Sequence, residues 1–163
     1  ILISACLLGH KVRYDGGSNP HELLLKYNER GRFLAVCPEC FGQLPVPRQP
    51  VEIQHANGKK VLAGKAEVRD AQGHDATHAF LVGADKVLKI AQAYHAQVAI
   101  LKEGSPSCGV HQIHTGNFDG QKTRGSGVCA SLLEANGIRV FSEKDITVGR
   151  LEELLAEDEK RER

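Results

Sequence analysis

The sequence predicts an α/β fold: a single domain with a mostly parallel, doubly wound sheet of about four strands and a small β-hairpin insertion. Three observations carry this. Short apolar runs without polar alternation recur along the chain, as in strands buried on both faces. Segments of helical period alternate with them, which favours a parallel sheet. The 163 residues are enough for one domain with a substantial core.

Residues 1–5 form the first continuous apolar run, and Cys6 stands at its end. Residues 9–20 are polar and turn-rich, with Gly16 and Gly17. Asn19-Pro20 reads as a helix start, Leu23, Leu24 and Tyr27 as its apolar face, and Gly31 as its stop. Residues 33–36 form the second strand, which ends in Cys37-Pro-Glu-Cys40. Pro45, Pro47 and Pro50 make residues 43–50 extended or turning.

Residues 51–53 and 60–62 flank Asn57-Gly58, a turn signal, and a hairpin is expected there. Residues 66–69 are a further short strand. Residues 75–97 hold the longest helical pattern, with Phe80, Ala84, Val87, Leu88, Ala91 and Tyr94 at three- and four-residue steps. The third strand is residues 98–101. Residues 103–126 are polar and Gly-rich, a length that compact domains seldom carry without functional use. A helix over 127–136, a fourth strand over 138–141 and a last helix capped by Asp145 or Thr147 complete the chain. Residues 157–163 are charged and expected to fray.

Right-handed crossovers place the carboxyl ends of parallel strands on one edge, where ligands bind in such sheets. Cys6, Cys37 and Cys108 all fall there. Thiolates are soft ligands that suit zinc, copper(I) or iron–sulfur clusters, and three ligands leave one metal position open to a substrate. A free cysteine on its own is more often a small buried hydrophobe, and Cys129, among Val128, Leu132 and Leu133, fits that description.

Glu39, two residues from Cys37, is a candidate for proton transfer, with a loop ion pair as its plainer role. Ser105, three residues before Cys108, can donate to a substrate or simply close a turn. Ser107 has the same two options. Arg48 can bind a polar substrate or form an ion pair, and the ion-pair role is preferred for Lys102 and Glu103. His111 and His114 follow Cys108 closely and are potential ligands, although histidines in Gly-rich loops usually face solvent. Gly125-Ser-Gly127 before a helix offers amides to an anion.

The net charge of +1 implies no polyanion-binding field, and 5% aromatic residues make no stacking platform, so nucleic acid is not an expected partner. No apolar run approaches the roughly 20 residues that span a bilayer. The first run lacks a basic lead-in and a cleavage pattern, so no membrane association and a cytoplasmic location are expected. Five cysteines, an odd number, then point to metal binding or catalysis over a disulfide framework. Cys37-Pro-Glu-Cys40 is also a C-x-x-C, so a dithiol oxidoreductase stays open, as does a non-catalytic iron–sulfur or zinc protein.

Ser4-Ala-Cys-Leu-Leu-Gly9, Val12-Arg-Tyr-Asp-Gly16, Cys37-Pro-Glu39, Leu44-Pro-Val-Pro-Arg48 and Lys102-Glu-Gly-Ser-Pro-Ser-Cys-Gly109 together resemble the bacterial thiouracil desulfidase family. Asp75-Ala-Thr77, Gly116-Asn-Phe118 and Gly125-Ser-Gly-Val128 extend the resemblance over nearly the whole chain. It implies a [4Fe–4S] cluster held by Cys6, Cys37 and Cys108 with one iron open. It also implies a small thiolated pyrimidine as substrate, water replacing sulfur without net redox change, and Glu39 and Ser105 as the proton-handling pair. Arg48 and Ser107 are the expected substrate contacts. The chain departs from the family pattern at Cys40, where an apolar residue is expected, and at Cys129, where threonine is expected. His111, Gln112 and His114 replace a stretch with tyrosine and aspartate.

Overall fold

The continuous apolar runs become a four-stranded sheet. The computed structural model describes residues 1–161. In chain order the elements are β1 (Leu2–Ser4), α1 (Glu22–Tyr27), β2 (Leu34–Val36), α2 (Pro38–Phe41), β3 (Val51–Ile53), α3 (Gly58–Leu62), β4 (Val68–Asp70), α4 (Thr77–Ala93), β5 (Val98–Leu101), β6 (Gln112–His114), β7 (Lys122–Arg124), α5 (Val128–Ala135), β8 (Arg139–Ser142) and α6 (Val148–Arg161). The main sheet has the order β2-β1-β5-β8, and every pairing in it is parallel.

Successive strand residues point to opposite faces. Leu2, Ala99 and Leu101 therefore join Phe80, Val87 and Leu133 in one core, under α4 and α5. Ile3, Val98 and Ile100 join Leu24, Leu151 and Leu154 in the other, under α1 and α6. Helices cover both faces, which is why the central runs are apolar throughout. Burying one such Leu or Ile side chain contributes about 1.5–3 kcal/mol.

Several local expectations are corrected. The hairpin insertion exists, but β3 pairs with β4. Residues 60–62 belong to α3, because the Asn57 side chain accepts the Lys60 amide and caps a helix where a hairpin turn was expected. A Cβ at Gly58 would overlap the Gly127 carbonyl, so this glycine permits contact with the α5 terminus. The long Gly-rich segment contains a second antiparallel hairpin, β6–β7. Helix α1 starts at Glu22, with His21 and not Asn19 as its cap. Thr147 Oγ1 accepts the Arg150 amide at the start of α6, while Asp145 closes a capping box with Ser142 one turn earlier. Helix α6 continues through 157–161; the remaining part of the segment expected to fray, Glu162 and Arg163, lies outside the described residues. No helix among the described residues is long and apolar enough to cross a membrane.

One close contact positions the site. A Cβ at Gly83 of α4 would overlap the Pro38 carbonyl, and a Cβ at Gly42 would overlap the Ala79 carbonyl. Only glycine at both places lets the short α2 lie directly on α4.

Candidate functional site

Cys6, Cys37 and Cys108 follow the carboxyl ends of β1, β2 and β5, three neighbouring strands. Cys6 sits in the 3-10 turn Ala5–Leu8, which Gly9 closes at φ 87°. Cys37 is the extended N-cap of α2, with Pro38 in the first turn. Cys108 is 5% exposed and lies in a turn closed by Gly109 N–H donating to the Ser105 carbonyl at 2.8 Å. All three line one cavity of about 560 Å³.

Burial raises all three thiols. It outweighs a hydrogen bond from Asn19 at Cys6. At Cys37 burial, reinforced by Cys40 and Glu39, pushes the thiol up to about 12. At Cys108 burial pushes it well above the ordinary range, and the charges of Cys129, Cys6 and Cys37 add to this. Thiols that resist ionising in each other's company are stabilised as thiolates by a positive centre between them. Among the described residues no three His, Cys, Asp or Glu side chains converge as they would on a single ion. A wall of thiols around a cavity suits a polynuclear cluster, whose ligands sit on different metal atoms.

Polar groups near the sulfurs oppose the effect of burial: Asn19 at Cys6, the Cys40 backbone at Cys37 and Ser4 at Cys108 each lower the thiol pKa. The Ser107 hydroxyl also donates to Cys108 Sγ, at 3.8 Å. Such donors tune iron–sulfur centres. Arg13 Nη1 donates to Asn19 Oδ1 at 2.8 Å, and Asn19 N–H donates to the Cys6 carbonyl at 3.0 Å, which holds Asn19 beside Cys6. The sequence reading missed Asn19 because it matched a helix-cap pattern, and no spacing linked it to Cys6.

Glu39 lines the cavity from α2, and its Oε2 accepts from Arg48 Nη2 at 2.5 Å in a pair 16% and 7% exposed. Burial opposes the Arg48 charge, but Glu39 outweighs it and raises the guanidinium above its ordinary value. Arg48 Nη2 also donates to the Val12 carbonyl at 2.9 Å and Nη1 to the Pro45 carbonyl at 3.2 Å. Arg48 thus ties both mouth loops to Glu39. Among the described residues Glu39 Oε1 carries no hydrogen bond.

Ser105 Oγ accepts the Ser107 amide at 3.2 Å and the Cys108 amide at 3.1 Å, and lies 3.1 Å from Ser107 Oγ. It closes the turn and still has its own proton to give. Ser107 is almost fully buried between Ser105 and Cys108.

The rest of this loop is held from behind. Glu103 Oε1 accepts the amides of Val110, His111 and Gln112 at 2.8, 2.9 and 3.0 Å, and of Gly104 at 3.3 Å. Burial would raise the Glu103 pKa, but these amides outweigh it and hold the carboxyl below its usual range. Lys102 Nζ pairs with the Glu143 carboxylate at 3.8 Å and donates to the Glu103 backbone carbonyl at 3.0 Å, not to the Glu103 carboxylate. Two of the amides expected to offer an anion site before α5 are taken: Gly125 and Gly127 donate to the carbonyls of His111 and Gly109 at 3.1 and 2.8 Å. The next two, Val128 and Cys129, donate to the carbonyls of Pro106 and Ser107, both at 2.9 Å. The start of α5 clasps the Cys108 loop.

The histidines separate. His111 is exposed and its Nε2 lies 2.8 Å from Asp145, which raises its pKa. His114 lines the cavity, and its Nδ1 is buried without a partner among the described residues. Cys129 is wholly buried in α5, as expected, and burial pushes it up to about 12. Cys40 lies in α2 and does not line the cavity.

These features define a doubly wound α/β protein with three cysteines lining one cavity at the carboxyl edge of its sheet. The sequence pattern of the 2-thiouracil desulfurase family matches residues 1–145, and the chain belongs to that family. It is 42% identical over 146 residues to the uncharacterized protein YbbK of Bacillus subtilis (strain 168), covering 90% of this chain and 97% of that protein. Its structure is similar to that of the [4Fe-4S]-dependent thiouracil desulfidase TudS. The TM-score is 0.82 at 40% identity, over 96% of this chain and 97% of the other.

Proposed function

We propose that the protein converts a thiolated uracil and water to uracil and hydrogen sulfide, without net redox change, at a [4Fe–4S] cluster held by Cys6, Cys37 and Cys108. The convergence of three thiols, and not four, on one cavity beside Glu39 and Ser105 carries this reading. When bound, the cluster supplies a Lewis acid for the substrate sulfur.

The chain's own groups handle water and protons. Glu39 takes a proton from the attacking water at its open Oε1, while Arg48 holds Oε2 and aims the carboxylate into the cavity. Ser105 keeps its oxygen fixed by two amides and gives or passes a proton at the ring or the departing sulfur. Arg48 and Ser107 form part of the wall against which the substrate ring lies. Their polar atoms act mainly through neighbours, Arg48 through Glu39 and Ser107 through Ser105 and Cys108.

Anaerobic reconstitution tests the proposal. Iron and labile sulfide of about four each per chain are expected for a [4Fe–4S] cluster, with sulfide release from 2- or 4-thiouracil. A colourless protein that takes up one zinc ion and releases no sulfide overturns it.

A further inference from the structure

Cys40 does not line the cavity described above, yet it is close enough to Cys37 to help raise its thiol. The geometry explains why. Cys37 is the extended N-cap of α2 and Cys40 stands three residues on, in its first turn. Residues three apart along a helical turn have Cα atoms about 5 Å apart, within the range of about 4.4–6.8 Å that a disulfide needs. Phe41 N–H donates to the Cys37 carbonyl and Gly42 N–H to the Pro38 carbonyl, both at 2.9 Å, so the turn is fixed. The glycine contacts with α4 keep it from shifting. Both thiols are half-buried, whereas Cys108 and Cys129 are buried. Cys37 therefore has two alternative partners, a metal centre on its cavity side and a thiol on its helix side.

We propose that Cys37 and Cys40 are a redox-active dithiol in the cluster-free protein: a low-molecular-weight disulfide oxidises them to a Cys37–Cys40 disulfide, which withdraws one ligand from the metal centre until a thiol reductant restores it. The proposal rests on the reading of Cys37 as a cluster ligand. In the first step the Cys40 sulfur attacks one sulfur of the small disulfide and expels one thiol. The Cys37 sulfur then attacks Cys40 in the mixed disulfide and expels the second thiol as the Cys37–Cys40 bond forms. The two protein thiols lose two protons and two electrons, and the reagent gains them as two free thiols. A sulfur bonded to Cys40 no longer ligates iron, which leaves Cys6 and Cys108 alone at the cavity. A Cys37 already on iron is equally closed to oxidation. Loading and oxidation exclude one another.

The test uses the full chain freed of cluster and incubated with glutathione disulfide. Remaining thiols are alkylated and the peptides mapped by mass, and iron uptake is then measured with and without dithiothreitol. The expected result is a disulfide joining Cys37 to Cys40, alkylated Cys6, Cys108 and Cys129, and lost iron uptake that dithiothreitol restores. Cys40→Ser is expected to take up iron equally well before and after glutathione disulfide. Free thiols throughout, a disulfide to Cys6 or Cys108, or full uptake by the oxidised protein without reductant would overturn the switch. Full cluster uptake by Cys37→Ser would overturn the ligand assignment itself, so the two failures read differently.

Discussion

Replacing Glu103 by glutamine tests how the Cys108 loop is held. Glu103 Oε1 gathers three short amide bonds, from Val110, His111 and Gln112, in a buried setting. Glutamine keeps an acceptor of the same shape but removes the charge. Hydrogen bonds to charged groups are worth about 1 kcal/mol more each than neutral ones, so three of them predict a loss of about 3 kcal/mol. That is about a hundredfold in the folding equilibrium.

Urea unfolding of the cluster-free protein measures this, with an unchanged m value expected because the buried surface is the same. The pH dependence is a second reading. The folded pKa of Glu103 lies below its unfolded value of about 4.3. Its stabilisation is therefore complete above that value and fades as pH falls through the lower folded pKa. The gap between wild type and Glu103→Gln should be constant near neutrality and close in acid. A variant within about 0.5 kcal/mol of wild type, the range of ordinary surface changes, or a gap that does not depend on pH, refutes the reasoning.

Gly83→Ala gains about 0.5–1 kcal/mol of helix propensity but drives a methyl into the Pro38 carbonyl. We predict a net loss of about 1–3 kcal/mol and a reduced iron content, and a higher melting temperature would contradict this. Glu39→Gln and Ser105→Ala are expected to keep the cluster by absorbance and iron analysis while sulfide release falls by about 10²–10⁴, the usual contribution of a positioned acid or base. Sulfide release at wild-type rate in both variants would remove them from the mechanism. His111→Ala lies on an exposed ion pair with Asp145. It should change stability by less than about 1 kcal/mol and leave iron uptake intact. The raised pKa of His111 means that its contribution is present at low pH and lost as pH rises through the folded value.

The sheet was legible because buried parallel strands have no polar alternation to confuse the reading, and all four lie within a residue or two of their expected places. The position of the three cysteines followed from that sheet alone. Shorter elements were not legible where local patterns have two meanings. Asn57-Gly58 reads as a hairpin turn, but the same pair caps α3 because Gly58 must pass the Gly127 carbonyl. Gly125-Ser-Gly127 reads as an anion site until the carbonyls of His111 and Gly109 take the amides of Gly125 and Gly127. Arg48 could not be assigned to Glu39 from sequence, since the proline segment between them turns in a way that no propensity specifies. In each case a contact between residues distant in sequence decided the outcome.

Those distant contacts share a direction. The wall with Cys37 and Glu39 is set by α2 on α4, through Gly42 and Gly83. The wall with Cys108 and Ser105 is set by the first turn of α5, whose amides hold the loop. Helices α4 and α5 pack against each other and over the same sheet face. The opposite face, under α1 and α6, contributes Leu24, Leu151 and Leu154 to stability but sets neither of these walls. The distance between Cys37 and Cys108 is thus a property of one of the two cores. We predict that loosening the α4–α5 contact costs iron uptake before it costs the fold, a difference that iron content and urea unfolding of the same variant would read.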